Sequence, residues 1–176
     1  HIAESFPDLR PSIQRTTMSH TRTAVFADVQ NIYYTTRDAY GRAFDYRKLW
    51  QIVSSQGPIT HAFAYAIDRG DAQQQKFQSA LRHIGFEVKL KPLIKRADGS
   101  AKGDWDVGIT IDIMDTAPHV DRVVLLSGDG DFELLMDKIR ADYNVYAEVY
   151  GVSTLTAKAL IDSADAYHPI DYNLLV

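Results

Sequence analysis

Apolar positions along this chain keep two rhythms in turn. Short, nearly continuous apolar runs stand at TAVFADV (23–29), THAFAYAI (60–67), DRVVLLS (121–127) and NVYAEVYG (144–151). Runs of that length, rich in Val, Ile, Tyr and Phe, predict buried strands. EVKLKPLI (87–94) is a further extended piece, and Pro92 confines it to a sheet edge or ends it there. AYHPI (166–170) predicts a last short strand.

Helical spacing fills the gaps. DYRKLWQIVSSQG (45–57) sets Leu49, Trp50 and Val53 on one face and stops at Gly57–Pro58. DAQQQKFQSALRHIGF (71–86) carries Phe77, Leu81 and Ile84 as a stripe, with Gly85 as C-cap. GDFELLMDKIRADY (130–143) is amphipathic, and STLTAKALIDSAD (153–165) reads as a capped helix. DWDVGITIDIMDTA (104–117) fits both periods: Val107, Ile109, Ile111 and Ile113 alternate, while Val107, Ile111 and Met114 form a helical stripe. Helix is the reading adopted, because parallel strands on either side need a crossover. Strands alternating with helices predict an α/β three-layer sandwich with a mostly parallel central sheet.

Residues 1–21 carry two prolines and no sustained period, so they are set apart as an N-terminal extension or fusion remnant, with Met18 a candidate start. Residues 22–176 read as one domain, without repeat, linker or low-complexity tract. Composition narrows the class. With 45% apolar residues the chain is not a disordered one. The absence of cysteine excludes disulfide scaffolds, thiolate zinc sites and cysteine nucleophiles. It also fits a reducing, cytoplasmic setting, and neither a membrane span nor a signal peptide is expected. At a net charge of −4, any nucleic-acid contact must use a local basic patch.

The chemistry gathers in the acids. Ligands of open parallel sheets bind outside the carboxyl ends of the strands. Asp28 ends the first strand, Asp129 and Asp131 follow the strand 121–127, and Asp106 opens the helix at 104–117. If that helix starts on the same rim, four carboxylates from three distant segments converge. Converging carboxylates repel one another, and a divalent cation relieves this far better than helix dipoles do. An all-oxygen donor set favours Mg²⁺ or Mn²⁺ over zinc. Structural readings stand beside these: Asp28 as an Asx turn, Asp129 or Asp131 as an N-cap, and Asp106 as a dipole partner behind Asp104 as the formal cap. Asp112, further along the same helix, supports the cluster from behind or is plain surface. Asn31 either starts a helix or orients Asp28 or a phosphate, and Ser127 either caps the turn or bonds a phosphate oxygen.

Lys89, Lys91, Lys95, Arg96 and Lys102 crowd residues 89–102 against one acid, Asp98. Beside an acidic metal site this suits a polyanion crossing a catalytic centre, and equally an edge strand whose lysines discourage pairing. Arg69, after the second strand, can reach the same rim. Tyr33 and Tyr34 can stack on bases or pack at the rim. The six histidines are scattered, and neither a phosphate-binding glycine loop nor a nucleophile elbow is present.

Four blocks in order carry a resemblance: AVFADVQNIYY, KGDWDVGITIDIMD, VVLLSGDGDFELLMDKI and STLTAKALIDSADAYHPI. Over residues 22–170 the chain resembles the NYN domain family, in its LabA-like branch. That resemblance implies a PIN-like nuclease fold and an acidic pocket holding Mg²⁺ or Mn²⁺. It matches Asp28 and Asn31 to the first-block acid and amide, Lys102 and Asp106 to the lysine-then-acid block, and Ser127, Asp129 and Asp131 to the serine-glycine-acid block. Where the family often shows two asparagines, this chain has Gln30–Asn31.

The expectation is therefore a metal-dependent ribonuclease. Asp28, Asp106, Asp129 and Asp131 hold the cation, Asn31 and Ser127 position water or phosphate, and Lys102, Lys95, Arg96 and Arg69 steer a single-stranded RNA. Self-association is left open. The alternative is a regulatory module that binds RNA, a nucleotide or a protein without cleaving, and a phosphatase for small phosphate esters is a third reading.

Overall fold

The computed structural model describes residues 21–92 and 104–176, together with the backbone of 94–95 and 101–102. Six strands form one sheet, parallel throughout: β1 (Thr23–Asp28), β2 (Ile59–Asp68), β3 (Glu87–Pro92), β6 (Arg122–Leu126), β7 (Tyr146–Gly151) and β8 (Ala166–Pro169). Their order across the sheet is β3-β2-β1-β6-β7-β8. Two short pieces, β4 (Ile94–Lys95) and β5 (Ala101–Lys102), form a separate antiparallel ribbon.

Helices cover both faces. On β1, Val25 and Ala27 face one core with α1 (Val29–Tyr40), α2 (Tyr46–Ser54) and α3 (Ala72–Ile84). Ala24 and Phe26 face the other core with α4 (Asp106–Thr116), α5 (Glu133–Tyr143) and α6 (Lys158–Ser163). Two covered faces explain why the central strands are apolar at successive positions rather than alternating. Wholly buried Phe26 and Phe132 each contribute about 1.5–3 kcal/mol of transfer free energy. The result is a three-layer α/β sandwich with PIN-like architecture.

β3 lies at the edge and ends at Pro92, as expected, because proline has no N–H for a further neighbour. Four expectations need correction. A helix starting at Asn31 is one of that residue's two readings, but α1 begins at Val29 with Asp28 as its cap, and it buries only Val29, Ile32 and Thr36, a stripe too narrow and too polar to mark the element by its period. In α4 the buried stripe is Ile109, Ile113 and Thr116, whereas Val107 and Ile111 point outward at 70% and 54% exposure. Both stripes are apolar, so periodicity could not choose between them, and contact with Phe132 and Met136 decided it. In α3 the buried positions are Gln78 and Leu81, with Phe77 near the surface. The segment 153–165 is a 3-10 turn at Ser153–Leu155 and then the short α6, preceded by Ala157 with no side-chain cap.

Below the sheet centre, Arg122 is fully buried and pairs with Glu148, whose second oxygen lies 2.7 Å from His168 Nε2. Burial alone would raise the Glu148 carboxyl, but the bonds from His168 and Arg122 outweigh it and hold the acid below its ordinary range. Among the described residues no helix is long and apolar enough to cross a membrane.

Candidate metal centre

The sheet order reverses between β1 and β6, so the chain leaves a crevice there at the carboxyl ends of the strands. Register sets what faces it. Ala27 of β1 lies opposite Leu126 of β6, which makes Asp28 and Ser127 the next pair out. Ser127 Oγ donates to Asp28 Oδ2 at 2.9 Å, and Ser127 is itself fully buried. Asp28 also caps α1, its Oδ1 accepting the Asn31 N–H at 3.5 Å. The cap and the site are thus one residue.

The segment after β6 turns sharply. The Asp129 N–H donates to Ser127 Oγ at 3.2 Å, and Asp129 Oδ1 caps the 3-10 turn Gly130–Phe132 by accepting the Asp131 N–H at 2.9 Å. Asp129 Oδ1 is occupied in this way, and the carboxylate also meets Asp106 across the cleft. Asn31 ties the two sides together, its Oδ1 accepting the Gly128 N–H at 2.9 Å. The glycines admit close neighbours. A Cβ on Gly128 would lie 2.7 Å from the Leu155 carbonyl oxygen, and one on Gly130 would lie 2.8 Å from the Ala157 Cβ. The SGDGD turn can press against residues 155–157 only because it lacks those atoms.

Asp106 arrives from the first turn of α4. Its carboxylate and those of Asp129 and Asp131 each offer an oxygen, and these oxygens lie within 4.8 Å of one another. Asp28 is deeper, at 7% exposure, and Asp131 is the most open of the four. A cleft of about 230 Å³ is lined by Asp28, Asn31, Tyr34, Asp104, Asp106 and Asp129, with Gln30 and Thr35 completing the wall.

Electrostatics match this crowding. Burial pushes the Asp28 carboxyl up to about 6; the bonds from Ser127 and Asn31 lower it, and the charges of Asp129 and Asp104 raise it further. Asp106 is pushed up to about 7, first by burial, then by the hydrogen bond and charge of Asp129, then by Asp28 and Asp104. None of the ion pairs among the described residues includes Asp28, Asp106, Asp129 or Asp131. Oxygen donors that converge, repel and form no ion pair among the described residues fit a hard divalent cation.

Other residues singled out in the sequence fall elsewhere. Asp112 accepts from Tyr65 Oη and from Lys89 Nζ, each at 2.7 Å, and does not line the cleft. Arg69 Nη2 donates to Tyr34 Oη at 3.3 Å, so it stands behind a cleft residue without lining the cleft itself. Lys95 and Lys102 stand on the β4–β5 ribbon, whose second strand leads into α4. Arg96 lies outside the described residues. Trp105, not Asp104, holds the N-cap position of α4; Asp104 accepts the Asp106 N–H at 3.4 Å and lines the cleft. The reading of Asp104 as a plain cap missed that role, although its place two residues before Asp106 was a usable signal. Nothing in the sequence marked the Asn31–Gly128 clamp.

The NYN domain family profile matches residues 22–171. Over 161 residues, 87% of this chain and 84% of the relative, the sequence is 30% identical to the low amplitude and bright protein LabA of Synechococcus elongatus. The crystal structure of a Vibrio parahaemolyticus protein of unknown function superposes with a TM-score of 0.85 at 51% identity, covering 90% of this chain and 98% of that one. A profile spanning nearly all of the described fold, together with these relatives, places the chain in the NYN domain family, as a LabA-like member.

Proposed function

We propose that this protein is a metal-dependent phosphodiesterase that hydrolyses RNA, with single strands as substrate. The observation that carries the reading is the convergence of Asp106, Asp129 and Asp131 oxygens within 4.8 Å, with Asp28 behind them, at the point where the strand order reverses. Membership of a family that resembles PIN nucleases supports the same chemistry.

Asp106, Asp129 and Asp131 would hold Mg²⁺ or Mn²⁺, with Asp28 as the inner carboxylate. A bound ion supplies a water of lowered pKa and neutralises charge on the phosphate oxygens. The protein's own part is positional. Ser127 and the Asn31 amide fix both oxygens of Asp28, so the inner acid does not have to reorganise. Asn31 holds the SGDGD turn against α1 through Gly128, which keeps Asp129 facing Asp106. Arg69, bonded to the cleft residue Tyr34, would supply positive charge that an acidic chain otherwise lacks, with Lys95 and Lys102 as further candidates by sequence, and phosphate contacts of that kind position a strand without reading its bases. A cleft of about 230 Å³ is small for a duplex and suits an extended strand better.

The test is cleavage of an RNA panel with Mn²⁺ or Mg²⁺ by the purified protein, beside an Asp129→Asn/Asp131→Asn double variant. Loss of several kcal/mol of charge stabilisation predicts a rate at least about a hundredfold lower in the variant. Cleavage by the wild type no faster than by the variant would overturn the proposal. Retained RNA binding alongside a silent Mn²⁺ titration would point to a non-catalytic binding module instead.

A further inference from the structure

We infer that Tyr33, Tyr34, Arg37 and Arg69 form a stacking platform for an unpaired RNA base next to the scissile phosphate, an inference that rests on the RNA reading above.

Tyr33 and Tyr34 are consecutive residues on α1, and both are half open to solvent, at 48% and 47%. They serve no core. The two rings meet edge to face with centroids 5.2 Å apart and an interplanar angle of 74°. Each hydroxyl is pinned by a guanidinium: Arg37 Nη1 donates to Tyr33 Oη at 3.1 Å, and Arg69 Nη2 donates to Tyr34 Oη at 3.3 Å. The Arg37 guanidinium also lies 5.8 Å from the Tyr33 ring centroid. These contacts fix both rings, with the edge-to-face pair and Arg37 each covering part of the aromatic surface, and the half of each tyrosine that stays exposed is what a base can meet.

Position selects the ligand. Tyr34 lines the same cleft as Asp28, Asp106 and Asp129. It stands six residues along α1 from Asp28, about 9 Å by helical rise. A strand whose phosphate meets the acids therefore brings a neighbouring base to the tyrosines. Every base has a π-face, so stacking tolerates any sequence and demands only that the base be unpaired. Each guanidinium has five donors, of which the tyrosine takes one, and among the described residues no other acceptor is bonded to the rest, which can meet phosphate oxygens. A bare apolar peptide would not use the two arginines, and an acidic peptide would not use the rings.

The platform is tested with Tyr33→Ala/Tyr34→Ala and Tyr33→Phe/Tyr34→Phe, both checked for native unfolding behaviour. A labelled single-stranded oligonucleotide and its abasic counterpart are titrated with Mg²⁺ present, and the strand is checked for cleavage. If the strand stays intact the readout is Kd, and if it is cut the readout is KM. Stacking predicts about a tenfold or greater weakening in the alanine variant for the strand with bases. It further predicts substantial retention in the phenylalanine variant, and no difference among the three proteins on the abasic strand. Unchanged Kd or KM in the alanine variant, equal loss on the abasic strand, or no binding of the wild type to either strand would each overturn the inference. A wild type that binds in this pattern but cuts nothing would sink the hydrolase proposal and leave the platform standing.

Discussion

Replacing Asp28 with asparagine should make the metal-free protein more stable. Folding buries this carboxyl and pushes it from 3.8 to about 6, so the native state holds its proton more tightly than the unfolded chain does. The ionised group therefore opposes folding. The penalty is absent below about pH 4, grows between 4 and 6, and is complete above that. A rise of that size corresponds to about 3 kcal/mol. Asparagine has no charge to bury and can still accept the Asn31 N–H, but it has one acceptor oxygen where the carboxylate has two. Losing the Ser127 bond costs about 1 kcal/mol, which leaves a net gain of about 2 kcal/mol at pH 8. Urea unfolding in EDTA at pH 8 and pH 4 is the assay, repeated with Mn²⁺ at pH 8. At pH 4 the gain should vanish. With Mn²⁺ at a hundred times its Kd the wild type should gain about 2.7 kcal/mol, and the variant much less. A variant less stable than wild type in EDTA at pH 8, or a gain of equal size at both pH values, would refute the argument that repulsion and burial at this site await a cation.

Three further changes probe the surroundings. Gly128→Ala should lower stability by about 1–3 kcal/mol, because its Cβ meets the Leu155 carbonyl oxygen at 2.7 Å, and unfolding in urea measures this. Displacing the SGDGD turn should also weaken Mn²⁺ binding by about 10–100-fold in calorimetry. Asp112→Ala leaves the hydroxyl of fully buried Tyr65 without its partner and frees Lys89, so it should cost about 1–3 kcal/mol in the same unfolding assay. Glu148→Gln strips the counter-charge from buried Arg122 and should cost about 3–5 kcal/mol near neutral pH. Because the Glu148 carboxyl is held below 4.5, its contribution is complete above that pH, and the gap between variant and wild type should close as pH falls beneath it.

Much of the layered fold could be read directly from the chain. The runs at 23–29, 60–67, 121–127 and 144–151 became β1, β2, β6 and β7, because a strand covered on both faces is apolar at most positions. The edge role of 87–92 followed from Pro92 and the lysines. Helices were harder where their faces were weakly marked. α1 buries a threonine where a third apolar residue would have revealed it. α4 is apolar on two sides, and only the packing of Phe132 and Met136 against it determined which side is the core.

For the site, local sequence determined which residue types were on offer: an acid ending a strand, two acids in a glycine turn after another, and an acid opening a helix. It could not determine their separation, since Asp28, Asp106 and Asp129 are distant along the chain. The parallel pairing of β1 with β6 brought Asp28 beside Ser127, and the packing of α4 brought Asp106 to within 4.8 Å of the Asp129 and Asp131 oxygens. The raised carboxyls have the same origin, because desolvation belongs to the folded surroundings and not to the residue. Residue identity is local and cheap to read. Distance and burial are collective, and only the assembled sheet with its helices settles them.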